Sequence, residues 1–266
     1  MIIGVNGKIG SGKDTVGRII QYLTLGEEFA KTNADVIADL EHDGYCANKS
    51  KFEIKKFAGK LKIIASLLTG VPVYMFEDQE FKKQVMSKKW IQPKHYNCEN
   101  YDAMDGGNCF YCSCGEKEMT YREFLQKLGT EAMRDGLHTN VWVNALFADY
   151  KGIPTGAIIG EKISLNESSY YSEYPEIMYP NWIITDMRFP NEMDAVKERK
   201  GITIRVIRPH GYINPHTGEY KEMPLSYHSS ETALDDSVFD YEIVNNGSID
   251  DLVEKVKEIL IKENII

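Results

Sequence analysis

Short apolar runs alternate along the chain with stretches of helical spacing, a pattern that predicts strands interleaved with helices. Residues 1–5 form an apolar run, and after a glycine-rich stretch the spacing turns helical and fades near Thr24. Residues up to 51 are polar with little periodicity, which reads as loop or short helices. Residues 52–57 alternate at period two and predict a second strand, followed by Ala58-Gly59 and an apolar helix over 60–68. A charged, helix-compatible segment covers 77–89. The helical pattern over 120–136 puts Phe124, Leu125, Leu128, Ala132 and Met133 on one side, with Thr120 and Glu123 as a capping box. Helical spacing returns over 140–150, where Trp142, Val143, Leu146 and Phe147 share a face, and pattern alone places Trp142 in a core. Residues 181–186 predict a short buried strand ending in Asp186, with a helix running on through Lys200. Strands at 201–207 and 239–244 follow, and Ser248 caps a terminal helix to Lys262. Such alternation implies an α/β chain, three-layer α/β/α, with a mostly parallel five-stranded sheet and inserted loops in one domain over 1–266.

The chemistry concentrates between the first strand and the first helix. Gly7, Gly10 and Gly12 let backbone N–H groups converge on an anion with no Cβ in the way, and the helix points its positive dipole end at the same place. Lys13 adds a mobile cation for the outer phosphates. The spacing Gly7-x4-Gly12-Lys13, with a strand before and a helix after, matches the P-loop. Asp14 stands where most P-loops carry the metal-touching hydroxyl, and Thr15 comes one place later. Gly-Lys-x-Thr resembles the nucleoside monophosphate kinase variant, in which the metal is held largely through water. At the end of the later strand, Asp186 suits a water-mediated Mg²⁺ contact and Arg188 a bidentate phosphate contact, against the plainer reading of a buried pair that ties a turn.

Composition narrows the partners. With 266 residues, 42% hydrophobic, and a net charge of −9, the chain can bury a full core but offers no broad surface for nucleic acid or anionic membrane. No window reads as a membrane span or a signal peptide, so a cytoplasmic location is expected, in the host cytoplasm if the chain is phage-encoded. Four of the five cysteines, Cys98, Cys109, Cys112 and Cys114, fall in an irregular insertion over 93–118. They read either as a structural zinc clip or as reduced thiols. The loop over 209–230 is long enough for a lid.

Taken in order, several blocks resemble the T-even-phage-type deoxynucleoside monophosphate kinases, of the P-loop nucleoside monophosphate kinase fold. They are Ser11-Gly12-Lys13-Asp14-Thr15; Phe57-Ala58-Gly59 with Lys62; Leu125-Gln126-Lys127-Leu128-Gly129-Thr130-Glu131 with Trp142-Val143; Thr185 to Ala195; Val206-Ile207-Arg208-Pro209; and Ile243 to Ser248. The resemblance implies transfer of the ATP γ-phosphoryl group to a deoxynucleoside 5′-monophosphate with Mg²⁺. By position it assigns Gly10, Gly12, Lys13, Asp14 and Thr15 to ATP. Phe57, Ala58, Lys88, Thr120, Gly129, Thr130 and Trp142 line the monophosphate site, and Asp186, Arg188 and Glu192 stand between the nucleotides. Lys13, Asp186 and Arg188 are the expected catalytic groups, Arg134 is a further candidate, and relatives suggest a homodimer. Two other readings are a P-loop kinase for another small or modified-base acceptor, and a non-catalytic nucleotide-gated binding protein.

Overall fold

The computed structural model describes residues 1–26, 32–41, 49–90, 118–154, 177–209, 211–213, 220–222 and 232–266. It divides into two compact units, Met1–Phe57 with Val143–Ile266, and Ala58–Trp142.

The first unit is built on five parallel strands. They are β1 (Ile2–Gly7), β2 (Phe52–Lys55), β5 (Asn181–Ile184), β6 (Ile202–Ile207) and β9 (Tyr241–Val244), in the order β2-β5-β1-β6-β9. Two short antiparallel pairs supply the remaining strands, β3 (Ile153–Pro154) with β4 (Ile177–Met178) and β7 (Gly211–Ile213) with β8 (Tyr220–Glu222). Strand β1 lies between its partners with Ile3 opposite Ile183 on one side and Ile202 on the other. Its side chains alternate between two packed layers. Ile3 and Val5 join Val16, Ile19, Ile20 and Leu23 of helix α1 (Lys13–Leu23), Val36 of α2 (Asn33–Glu41), and Leu252, Val253, Val256 and Leu260 of a terminal helix, Ile249–Lys262. Toward the other face, a Cβ on Gly4 would meet the Met187 sulfur at 3.0 Å and Val196 at 3.3 Å. Val196 belongs to a helix over Pro190–Glu198. Both faces are thus covered, which is why the inner strands are continuous runs of buried residues.

The second unit is helical. It contains α3 (Gly59–Thr69), a 3₁₀ turn at Val73–Glu77, α4 (Gln79–Lys83), a second 3₁₀ turn at Lys88–Trp90, α5 (Tyr121–Gln126) and a π-helix, Lys127–Asp135; α6 (Val141–Phe147) leads back to the first unit. In chain order the two later helices, Pro190–Glu198 and Ile249–Lys262, are α7 and α8. A small core of Ala65, Phe76, Phe81, Met86 and Phe124 holds the second unit.

Two differences from the expected elements have local causes. The charged segment 77–89 is not one helix: Asp78 caps a new start by accepting from the N–H groups of Glu80 and Phe81, at 2.7 and 3.2 Å, and Val85 is drawn into a bridge with Thr120. The segment 120–136 begins with the expected box, since Thr120 N–H donates to Glu123 at 2.8 Å and Glu123 N–H to the Thr120 hydroxyl at 3.2 Å. Beyond Gln126 it widens, with Gly136 and His138 donating five residues back to Glu131 and Met133, both at 3.0 Å. Trp142 Nε1 donates to the Gly129 carbonyl at 2.9 Å, and a side chain that engages the backbone ladder from outside favours such a wider turn.

Candidate functional site

Strand β1 ends at Gly7, and the chain turns through Gly10 at φ 78° and Gly12 at φ 96° before α1 begins at Lys13. Only glycine adopts the left-handed region without strain. Gly12 is also crowded: a Cβ there would stand 2.6 Å from Asn245 Nδ2. That amide donates to the Ser11 carbonyl at 2.8 Å and so pins the turn from the end of β9. The N-cap, Gly12, places no side chain over the start of α1, and the positive end of a helix N-terminus favours an anion. Lys13 is only 9% exposed, and its charge acts on the neighbouring Asp14. The Ser11 hydroxyl is buried, has no hydrogen-bond partner among the described residues, and lies where a Cβ on Gly7 would come within 2.3 Å of it. A glycine turn that opens a helix, with a buried lysine at the helix start, fits the phosphates of a nucleotide.

Asp14 follows Lys13. The surrounding protein costs its carboxylate some hydration, but the ammonium groups of Lys56 and Lys13 and the Thr185 hydroxyl outweigh this and hold the carboxyl below its ordinary range. Thr185 donates to Asp14 at 3.0 Å and Lys56 Nζ lies 3.4 Å away. Thr15 is half-buried and, with Asp14, Arg18, Ile37, Leu40 and Ile249, lines a cavity of about 340 Å³.

The strand ends on either side bring the second acid into place, as the carboxyl ends of parallel strands do. Asp186 follows β5, and its Oδ1 accepts the Phe57 N–H at 2.7 Å, tying the end of β2. Phe57 itself is buried, edge-on to Phe147 with centroids 6.2 Å apart. Arg188 is partly exposed in the turn after Met187. Glu192, 3% exposed, accepts the backbone N–H groups of Arg188 at 2.7 Å and Phe189 at 3.1 Å. Its carboxylate therefore fixes the turn that carries Arg188.

In the second unit, Ala58 leads into α3 and its carbonyl accepts from Lys62 at 3.2 Å. Lys88 is exposed on a 3₁₀ turn, and Thr120 spends its hydroxyl on the cap of α5. Gly129 is buried in the π-helix, where a Cβ would come within 2.9 Å of Leu61, while Thr130 beside it is exposed. Trp142, 6% exposed, is both core and the donor to Gly129. Arg134 is partly exposed in the last turn of the π-helix.

The expected zinc ligands Cys98, Cys109, Cys112 and Cys114 lie outside the described residues, as does most of the expected lid; only the β7–β8 pair of that segment is described. Among the described residues no group of three or more His, Cys, Asp or Glu could hold a metal ion. No described helix is long and apolar enough to cross a membrane.

Sequence reasoning missed two contributors, Lys56 and Asn245; they meet Asp14 and Ser11 only through the fold, and no local signal marks them. It named Glu192 but not its backbone contacts, although Pro190 at the first helical position and an acid three residues after Phe189 are the marks of a helix start.

Over residues 1–256 the chain matches the family described as deoxynucleotide monophosphate kinase. It is also similar to the deoxynucleoside-5′-monophosphate kinase of Escherichia phage T5, at 24% identity over 261 residues, covering 92% of this chain and 89% of that protein.

Proposed function

The chain belongs to the deoxynucleotide monophosphate kinases, and from that premise we propose that it transfers the γ-phosphoryl group of ATP to the phosphate of a deoxynucleoside 5′-monophosphate. The observation that carries the reading is the uncapped first turn of α1 with Lys13 buried at its start, a cradle suited to the phosphates of the donor. Lys13 neutralises the transferring group, and the α1 amides hold the phosphates in line. Arg188 reaches the same group from the turn that Glu192 fixes, which gives Glu192 a positioning role. Mg²⁺ bound with the triphosphate would offset charge on its oxygens, and Asp186 is the carboxylate suited to its water shell. Little covalent chemistry falls to the protein; rate comes from positioning and charge already in place.

Phe57, Ala58, Lys88, Thr120, Gly129, Thr130 and Trp142 are the groups proposed for the acceptor. Of these, Thr120 and Trp142 act through the backbone they hold, and Thr130 and Lys88 offer exposed polar atoms. Base choice rests on pocket shape. The test is a coupled ADP-release assay with ATP and Mg²⁺ across the four common deoxynucleoside monophosphates, their ribose counterparts and 5-substituted pyrimidine forms. Release with one or a few deoxynucleotides is the expected result. Silence across the panel with ATP still binding would shift the assignment to another acceptor or to a non-catalytic nucleotide-gated role.

A further inference from the structure

Asp14 holds more than its place in the glycine turn requires. One oxygen, Oδ1, accepts from the Thr185 hydroxyl at 3.0 Å and faces the Lys56 ammonium at 3.4 Å. Lys13 contributes to the field on the same carboxylate. At the next residue along from Lys56, the Phe57 N–H is bound to Asp186 at 2.7 Å. The end of β2 is thereby fixed twice, its backbone by one acid and its lysine by another. Side-chain exposure of 30% for Lys56 and 58% for Asp14 makes this a weak contributor to stability. A hydroxyl in the place of Asp14, usual at this point of the motif, holds no ammonium.

We propose that Lys56 is a second cation for the phosphoryl group in transfer, and that Asp14 is its positioning residue. The proposal rests on the kinase reading and deepens it. In the reaction the bond from the γ-phosphorus to the bridging oxygen breaks, its electron pair leaves with ADP, and an oxygen of the acceptor phosphate forms the new bond. Lys56 exchanges no proton. It meets charge that spreads over the equatorial oxygens, and because Asp14 holds it beforehand it adds no reorganisation at the moment of transfer. A triphosphate in the cradle draws Lys13 to itself, which leaves the carboxylate to Lys56 and the Thr185 hydroxyl.

The test uses the full chain, with Lys56→Met, Lys56→Arg, Asp14→Asn and the double variant Asp14→Asn/Lys56→Met, each assayed for turnover, ATP affinity and thermal midpoint. Lys56→Met is expected to lower kcat by about 30-fold while ATP affinity stays within about threefold, and Lys56→Arg to restore most of the loss. Asp14→Asn is expected to lower kcat by about tenfold in the wild-type background and by less than about twofold in the Lys56→Met background, the non-additivity of a coupled pair. Wild-type kcat in Lys56→Met overturns the proposal, and so do equal losses from Asp14→Asn in both backgrounds. A Mg²⁺ dependence shifted by Asp14→Asn but not by Lys56→Met overturns the role given to Asp14. If Lys56→Met does not fold, Lys56→Gln carries the same comparison. Failure of the kinase reading is separate, since it shows in the wild-type chain as no ADP release with any deoxynucleotide.

Discussion

The two units hold the residues proposed for function by different means. In the first, Lys13, Asp14 and Asp186 sit where parallel strands end, and strand register sets their spacing. In the second, Gly129 and Thr130 sit on a helix whose wide turn is tied to one indole, and Thr120 is tied to one carboxylate. A sheet spreads the load of positioning over many ladder hydrogen bonds, so a side chain at its end is removable without moving its neighbours. A helix tied at one point has no such reserve. Chemistry and scaffold are thus separable in the first unit and fused in the second.

The largest effect that follows is in the sheet-based unit. Lys13→Ala is expected to lower turnover by about 10²–10³-fold, with the thermal midpoint moved by less than about 3 °C. A collapse in the melting curve would break the claim of separability, and near-normal ADP release would remove the phosphoryl-transfer role. Gly12→Ala comes next. It places a Cβ against Asn245 at a left-handed φ of 96°, and a cost of about 1–2 kcal/mol in stability is expected together with about tenfold weaker ATP binding. Calorimetric titration and a melt measure both.

Trp142→Phe probes the other side of the comparison. It keeps the ring but leaves the buried Gly129 carbonyl without its indole donor, a loss of about 1–3 kcal/mol. Stability and the deoxynucleotide KM should move together, the latter several-fold, with ATP binding untouched. An unchanged KM would mean that the tie serves the fold alone. The smallest effect is expected far from either site. Tyr241 hydrogen-bonds Glu263, which with partial burial and nearby carboxylates pushes its hydroxyl up to about 12. Because this value is raised in the folded state, the contribution is fully present below about pH 10, the ordinary tyrosine range, and fades as pH rises toward 12. The stability gap between wild type and Tyr241→Phe should narrow over that window in alkaline melts.

The sheet-based unit was largely legible because its signals are local. An apolar run of strand length, three glycines and a lysine at fixed spacing announce β1, the turn and α1 without reference to the rest of the chain. The apolar strand before Asp186 is equally plain. What joins them is not local: Thr185 meets Asp14 across 171 positions, and Asn245 meets Ser11 across 234. The helical unit was legible only as helix. Over the nine residues Lys127–Asp135 an α and a π turn leave similar apolar spacing, and the indole that accompanies the wider one lies beyond the helix. An acid in a phosphate-binding block suggests charge chemistry first, and the backbone contacts that Glu192 also makes with Arg188 and Phe189 left no mark in that reading.

Gly17, within α1, has a mechanical consequence. A Cβ there would press within 2.5 Å of the Thr185 methyl, so the helix lies against the end of β5 with no room for a shim. Lys13 and Asp14 ride one turn upstream on the same rigid rod. Any side chain at position 17 would therefore work as a wedge at a fulcrum, swinging the lysine out of its cradle while leaving every residue of the glycine turn in place.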